Sequence, residues 1–122
     1  AGEAVWLERR PPTGLLAGMW QFPNDLLEED ESPVGAAPKR LTEVGFREDC
    51  LSPLPPYKHR FSHRVWHLFP YICVLAQDEV MGFASRMNNG KWCTRQEVER
   101  LAIPNAFLPL VRFVFGAREK PQ

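Results

Sequence analysis

The sequence predicts an α+β layered protein, and three observations lead to that class. Runs rich in aromatic and β-branched residues open the chain at about residues 3–10 and fill its middle, from Tyr57 to Phe61 and from Val65 to Ala76. A helix start is written at Thr94, with Glu97 three residues later to complete a capping box. The last apolar stretch, Pro104 to Phe115, carries Phe107, Leu110, Val111, Val114 and Phe115 along one helical side. Strands, one helix, strands and then helices make two packed layers around a core.

Taken in order, the first strand alternates Val5, Leu7 and Arg9 with Trp6, Glu8 and Arg10 and stops at Pro11. Prolines and glycines then punctuate a loop from Pro11 to Gly18, and Met19 to Phe22 is a short strand closed by Pro23. Asn24 to Pro33 is a polar, acidic loop. Val34 to Val44 predicts two or three helical turns, with Gly45 just past the end and Pro38 either shortening the helix or sitting in its first turn. Cys50 to Pro56 reads as a proline-rich connector. The two central strands flank Ser62-His63-Arg64. Gln77 to Gly82 and Ser85 to Gly90 read as turns, and Lys91-Trp92-Cys93 as a brief strand before the helix capped by Thr94. That helix carries Val98 and Leu101 and ends before Pro104.

A chain of 122 residues is one domain by size, residues 1–122, and is long enough to bury a core. No apolar run approaches the roughly 20 residues of a membrane helix, and the first residues carry no basic and apolar leader. Cys50, Cys73 and Cys93 are widely spaced, with no Cys-x-x-Cys pair, and are expected to be reduced thiols. Fifteen basic and fifteen acidic residues give a formal net charge of zero, which argues against a strong free-standing DNA binder. The charges are nevertheless segregated. Glu28-Glu29-Asp30-Glu31 is an acidic run, whereas Lys58, Arg60 and Arg64, interleaved with His59 and His63, form a basic one.

Several chemistries can be weighed from the residues. A magnesium-dependent phosphate-ester hydrolase needs several carboxylates on one helical face. In Pro38-Lys39-Arg40-Leu41-Thr42-Glu43-Val44, Glu43 is the only carboxylate in its turn and stands near two cations, Lys39 and Arg40. His59, His63 and His67 recur every four residues, but four residues of strand span about 13 Å, too far for three imidazoles to share an ion. Ser62 and His63 are adjacent, so on a strand they point apart and cannot act as nucleophile and base. What remains is recognition. Lys58-His59-Arg60-Phe61-Ser62-His63-Arg64 concentrates cations, a ring, a hydroxyl and imidazoles at a strand turn. Cations meet phosphates, a ring wedges or stacks, and a hydroxyl meets a base edge.

Arg9-Arg10-Pro11, the loop Gly14-Leu15-Leu16-Ala17-Gly18-Met19-Trp20-Gln21-Phe22-Pro23, the segment His59-Arg60-Phe61-Ser62-His63 and the region from Trp92 to Leu101 together resemble the C-terminal domain of MutY-type adenine DNA glycosylases. Residues 24–57 match only loosely. The resemblance implies a Nudix-like (MutT-related) fold, a mixed β-sheet flanked by helices, without pyrophosphohydrolase chemistry. It also implies a part in finding 8-oxoguanine opposite misincorporated adenine. By that pattern Phe61, Ser62 and His63 form the loop reaching the lesion, with His59 beside it and Ser62 on the base edge. Lys58, Arg60 and Arg64 are added as phosphate contacts.

The same resemblance implies a parent enzyme, an adenine DNA glycosylase of base excision repair, from which this domain is excised. The parent's N-terminal helix-hairpin-helix domain would excise adenine and carry a 4Fe-4S cluster. In the domain itself no catalytic residue, metal or cofactor is expected. Its expected partners are duplex DNA with an 8-oxoguanine:adenine mispair and the glycosylase domain in cis, with no membrane and a monomeric state. The expected location is bacterial cytoplasm at the nucleoid, or the nucleus or mitochondrion of a eukaryote. Two other readings stand beside this one. One is a divergent hydrolase of oxidised nucleoside triphosphates using Glu28, Glu29 and Glu31, and the other is a protein-interaction module docking through the C-terminal helix.

Overall fold

Among the described residues thirteen segments follow in chain order in the structure, a computed structural model. It describes residues 4–14, 16–28, 30–43, 45, 51–61, 63–87 and 89–116, with no side chain for Phe61. The chain divides into two compact units, residues 1–24 with 87–122, and residues 25–86.

The first unit is built on a three-stranded antiparallel sheet in the order β2-β1-β7. Strand β1 is Ala4–Arg9, β2 is Trp20–Gln21 and β7 is Gly90–Thr94. In β1, Val5, Trp6 and Leu7 are all buried, so the central strand is covered on both faces. Val5 and Leu7 meet Cys93 and Val98 in the core, and Trp20, Phe22, Leu101, Ile103, Val111, Val114 and Phe115 pack around them. On the other face Trp6 stands opposite Trp92, edge to face, with ring centroids 5.6 Å apart.

Helix α3, Arg95–Arg100, begins as the sequence dictates. Thr94 Oγ1 accepts from the Glu97 amide at 3.3 Å, and Glu97 Oε1 accepts from the Thr94 amide at 2.8 Å. Hydrogen bonding from the Thr94 amide, and then from its side chain, holds the Glu97 carboxyl below its ordinary range. A single 3-10 turn at Asn105–Phe107 leads into α4, Leu108–Phe115, so the final helix starts later than Pro104 and Pro109 sits in its first turn.

The second unit contains α1 (Pro33–Glu43), two two-stranded antiparallel sheets and α2 (Val80–Arg86). One sheet pairs β3, Leu51–Pro53, with β6, Tyr71–Cys73. The other is the hairpin of β4, Tyr57–Phe61, and β5, Arg64–Leu68. The α+β class expected from sequence is what folds, with every described strand pairing antiparallel and the strands divided among three small sheets.

Four local expectations change. Helix α1 starts at Pro33, where Ser32 Oγ accepts from the Val34 amide at 3.2 Å, so Pro38 lies inside the helix and not in its first turn. The proline-rich connector holds β3, because Pro53 occupies the end of an edge strand where its missing N–H is tolerated. The long central strand breaks into β5 and β6 at Phe69-Pro70. Gln77 to Arg86 is helical, a 3-10 turn running into α2, because Glu79 Oε1 accepts from the Ala76 amide at 3.0 Å and Phe83 supplies a buried anchor. Of the cysteines, Cys93 is free and its burial pushes the thiol pKa up, whereas Cys73 is disulfide-bonded, contrary to the expectation of three reduced thiols. Cys50 lies outside the described residues. No described helix is long and apolar enough to cross a membrane.

Candidate nucleic-acid interface

The hairpin β4–β5 carries most of the residues singled out from sequence, and its register sorts them. Tyr57 pairs with Leu68, Lys58 with His67, His59 with Trp66, Arg60 with Val65 and Phe61 with Arg64. Directly opposed residues of an antiparallel pair share a face, and successive residues alternate. Tyr57, His59, Trp66 and Leu68 therefore share one face and are all half-buried. Lys58, Arg60, Val65 and His67 share the other, and all four are exposed. The basic run that looks continuous in the sequence is thus divided. Arg64 is exposed, at the closed end of the hairpin in register with Phe61, and His63 is exposed in the turn before it. Ser62, expected to meet the base edge, and the side chain of Phe61 lie outside the described residues.

The half-buried face explains the hairpin's stability and its one marked titration. Burial raises the Tyr57 hydroxyl from 10.0 to about 12. The folded chain then keeps a proton that the unfolded chain releases, so stability is full below about pH 10 and falls as the pH rises toward 12. Tyr57→Phe is expected to abolish that alkaline loss, which thermal melts at pH 9 and pH 11.5 would show. A wild-type chain as stable at the higher pH as the variant would contradict the burial.

Histidines spaced by four do not converge. His59 and His67 lie on opposite faces of the hairpin, and no group of three His, Cys, Asp or Glu among the described residues could hold a metal ion. The same is true at α1. A cavity of about 280 Å³ opens beside this helix, lined by Asp25, Leu26, Leu27, Glu31, Ala36, Lys39, Arg40 and Glu43. Arg40 Nη1 lies 2.6 Å from Asp25 Oδ1, so the nearest loop carboxylate is tied to a guanidinium. Glu31 is also engaged, its Oε1 accepting from the Glu28 amide at 2.8 Å. Two cations among these carboxylates leave a donor set that does not suit a divalent ion. Glu29 lies outside the described residues.

The glycine-rich corner of the first unit is a fixed scaffold. The Arg10 amide donates to the Met19 carbonyl at 2.8 Å and the Gly18 amide to the Pro11 carbonyl at 2.9 Å, closing the loop at its neck. Arg9 Nε reaches the Gly18 carbonyl at 3.2 Å. Gly14 and Gly18 take φ of 94° and 73°, where a side chain would be strained. Arg9 and Arg10 thus serve the corner: Arg10 Nη1 donates to Gln21 Oε1 in the neighbouring strand. Sequence reasoning missed that His67 joins Lys58 and Arg60. The signal was the even spacing of alternate positions across a two-residue turn, which becomes readable once the turn is placed.

Comparison with known proteins gives a family match, two curated relatives and a structural neighbour. A family model described as NUDIX domain matches residues 1–112. The adenine DNA glycosylase of Mus musculus is 30% identical over 124 residues, covering 97% of this chain and 23% of that protein. The human adenine DNA glycosylase is 29% identical over 123 residues, covering 94% of this chain and 21% of its own length. The chain therefore spans between a fifth and a quarter of the curated relatives it matches. Among solved structures, a Nudix hydrolase from M. smegmatis (RenU) superposes with a TM-score of 0.50 at 18% identity, over 92% of this chain and 73% of that one, a likeness of fold.

Proposed function

This chain belongs to the NUDIX domain family, and we propose that within it the chain is the 8-oxoguanine-recognition domain of an adenine DNA glycosylase, itself without catalytic residues. The observation that carries the reading is the hairpin β4–β5, which presents Lys58, Arg60, His63 and Arg64 to solvent. The likeness to mammalian adenine DNA glycosylases across nearly the whole chain supports it. So does the donor set beside α1, where Arg40 ties up Asp25.

The chemistry of discrimination is simple. Oxidation at C8 converts the guanine N7 from an acceptor to an N–H donor. A serine oxygen, that of Ser62 by the family pattern, accepts from that donor, while intact guanine offers it none. Phe61 wedges or stacks at the lesion, with His63 and His59 beside it. Lys58, Arg60 and Arg64 hold phosphates, which fix register without reading sequence. Excision of adenine and the 4Fe-4S cluster belong in this reading to the parent's N-terminal domain, with the mispaired duplex as shared substrate. The domain then acts as a monomer in cis, wherever the cell keeps its DNA.

Replacing Ser62 and His63 together by alanine in the parent glycosylase should erase about 1–3 kcal/mol of preference for 8-oxoguanine:adenine over guanine:adenine, roughly 5- to 150-fold. Single-turnover excision rates on the two duplexes measure it, and an unchanged ratio would sink the loop assignment. A hydrolase reading has one observation in its favour, the cavity beside α1 with Asp25, Glu31 and Glu43 in its wall. Release of monophosphate from 8-oxo-dGTP with magnesium would establish that alternative.

A further inference from the structure

We propose that the outward face of the β4–β5 hairpin is a second, base-independent contact surface for the phosphate backbone of duplex DNA, with His67 as its third contact beside Lys58 and Arg60. The inference rests on the DNA-binding reading above, which already gives Lys58 and Arg60 to phosphates, and adds His67 and the register that sets these three on a face apart from the lesion-reading turn. His67 lies nine residues after Lys58 in sequence, and the register brings them together: the two are directly opposed. Arg60 lies two residues along the same strand, on the same face, opposite Val65. All four residues are exposed. Among the described residues no carboxylate forms an ion pair with Lys58 or Arg60.

The spacing suits the ligand. Residues i and i+2 of a strand stand about 6.6 Å apart, close to the axial rise of two nucleotides on one DNA strand, about 6.8 Å. Lys58 and Arg60 therefore match, along the duplex axis, phosphates two nucleotides apart on one strand. His67, about 5 Å to the side of Lys58 on the neighbouring β-strand, adds an N–H donor at the same height. Val65 makes the fourth corner and brings no charge that would oppose a phosphate. A row of exposed donors with no carboxylate among the four suits a repeating anionic backbone better than a single small anion. The opposite face, with Tyr57, His59, Trp66 and Leu68 half-buried, is the one that anchors the hairpin.

The test is binding of the chain to two duplexes, one with 8-oxoguanine:adenine and one undamaged, by fluorescence anisotropy across a salt series. Lys58→Ala and Arg60→Ala are each expected to lessen the log–log salt slope by about 0.9, and His67→Lys to steepen it by about 0.9. His67→Ala is expected to weaken both duplexes equally, by about 3-fold. All three substituted positions are exposed, so thermal midpoints should stay near wild type, and His67→Lys carries the test if the alanine variant folds poorly. A slope unchanged in His67→Lys overturns the proposal, as does a His67→Ala effect confined to the lesion duplex. Met81→Lys, at a side chain 84% exposed on α2, is the control for net charge; if it steepens the slope as much, the face assignment falls. The two readings separate cleanly. Flattened slopes with lesion preference indifferent to Ser62 and His63 would leave this face standing and remove the recognition loop, and the reverse result would do the opposite. A wild-type chain that binds neither duplex removes both.

Discussion

Replacing Leu7 with alanine is expected to lower the free energy of unfolding by about 3 kcal/mol, within the range for burying and then deleting a leucine side chain. Leu7 is wholly inaccessible and lies on the central strand β1, in one cluster with Val5, Cys93 and Val98. Its neighbours are held from two sides, by the β7 ladder and by the helices that follow it, so the cavity cannot collapse easily. Urea denaturation followed by tryptophan fluorescence gives the number. Trp6, Trp20 and Trp92 lie in the same unit as Leu7 and only Trp66 lies in the other, so a Trp66→Phe background makes the signal specific to that unit. The midpoint should fall while the urea slope stays constant, since the surface exposed on unfolding is nearly the same. Val34→Ala, at a side chain 74% exposed, should change stability by no more than about 0.5 kcal/mol. If the two variants behaved alike, Leu7 would not be where the core is.

The sequence carried this core openly because its signals were local and redundant. Alternation through Val5 and Leu7 marks a strand, the pair Thr94 and Glu97 marks a helix start, and both are built as expected. Each depends on residues within one or two turns of chain, where propensity and pattern agree. The segments that misled are those where a residue type carries two meanings. Pro38 normally breaks a helix, yet α1 runs through it, with Thr42 Oγ1 donating to the Pro38 carbonyl at 2.9 Å one turn later. Gly82 and Ser85 suggested turns, but Phe83 is buried and the segment is helical. Tertiary burial outweighed intrinsic preference there, and nothing nearby in sequence announces it.

The candidate site was legible as chemistry and not as geometry. Lys58, Arg60 and Arg64 were visible as cations in a strand turn, but which of them act together depends on pairing register. One residue of slip would exchange the two faces, placing Lys58 and Arg60 where Tyr57 and His59 now are. The observed register separates Arg64 from Lys58 and Arg60 and gives them His67 instead. The α1 region illustrates the complementary case. The sequence offers few carboxylates there for a divalent ion, and the fold adds that Asp25, in the preceding loop, is paired with Arg40. A long-range ion pair of that kind has no sequence signature.

Gly90→Ala is expected to be nearly as damaging as the loss of Leu7, although it adds only one methyl group. Gly90 opens β7 directly opposite Glu8 of β1. A Cβ at this position would lie 2.7 Å from the Leu7 carbonyl oxygen and 2.7 Å from two carbons of the Trp6 indole, well inside van der Waals contact. The carbonyl belongs to the sheet backbone and cannot step aside without opening the β1–β7 ladder. The indole is buried, at 7% exposure, against Trp92. Relief must come from strand separation, ring rotation or both, and overpacking of this kind costs about 1–3 kcal/mol. Ring rotation has its own signature, because the edge-to-face pair of Trp6 and Trp92, inclined at 76°, should give a near-ultraviolet dichroism band that weakens in the variant. Trp6→Phe removes part of the indole and so part of the clash, while leaving the carbonyl contact. Adding Gly90→Ala to that background should therefore be less harmful than adding it to the wild type, by about 1 kcal/mol. Strict additivity would mean that the carbonyl alone resists the methyl group, and a harmless Gly90→Ala would mean that the two strands do not approach this closely.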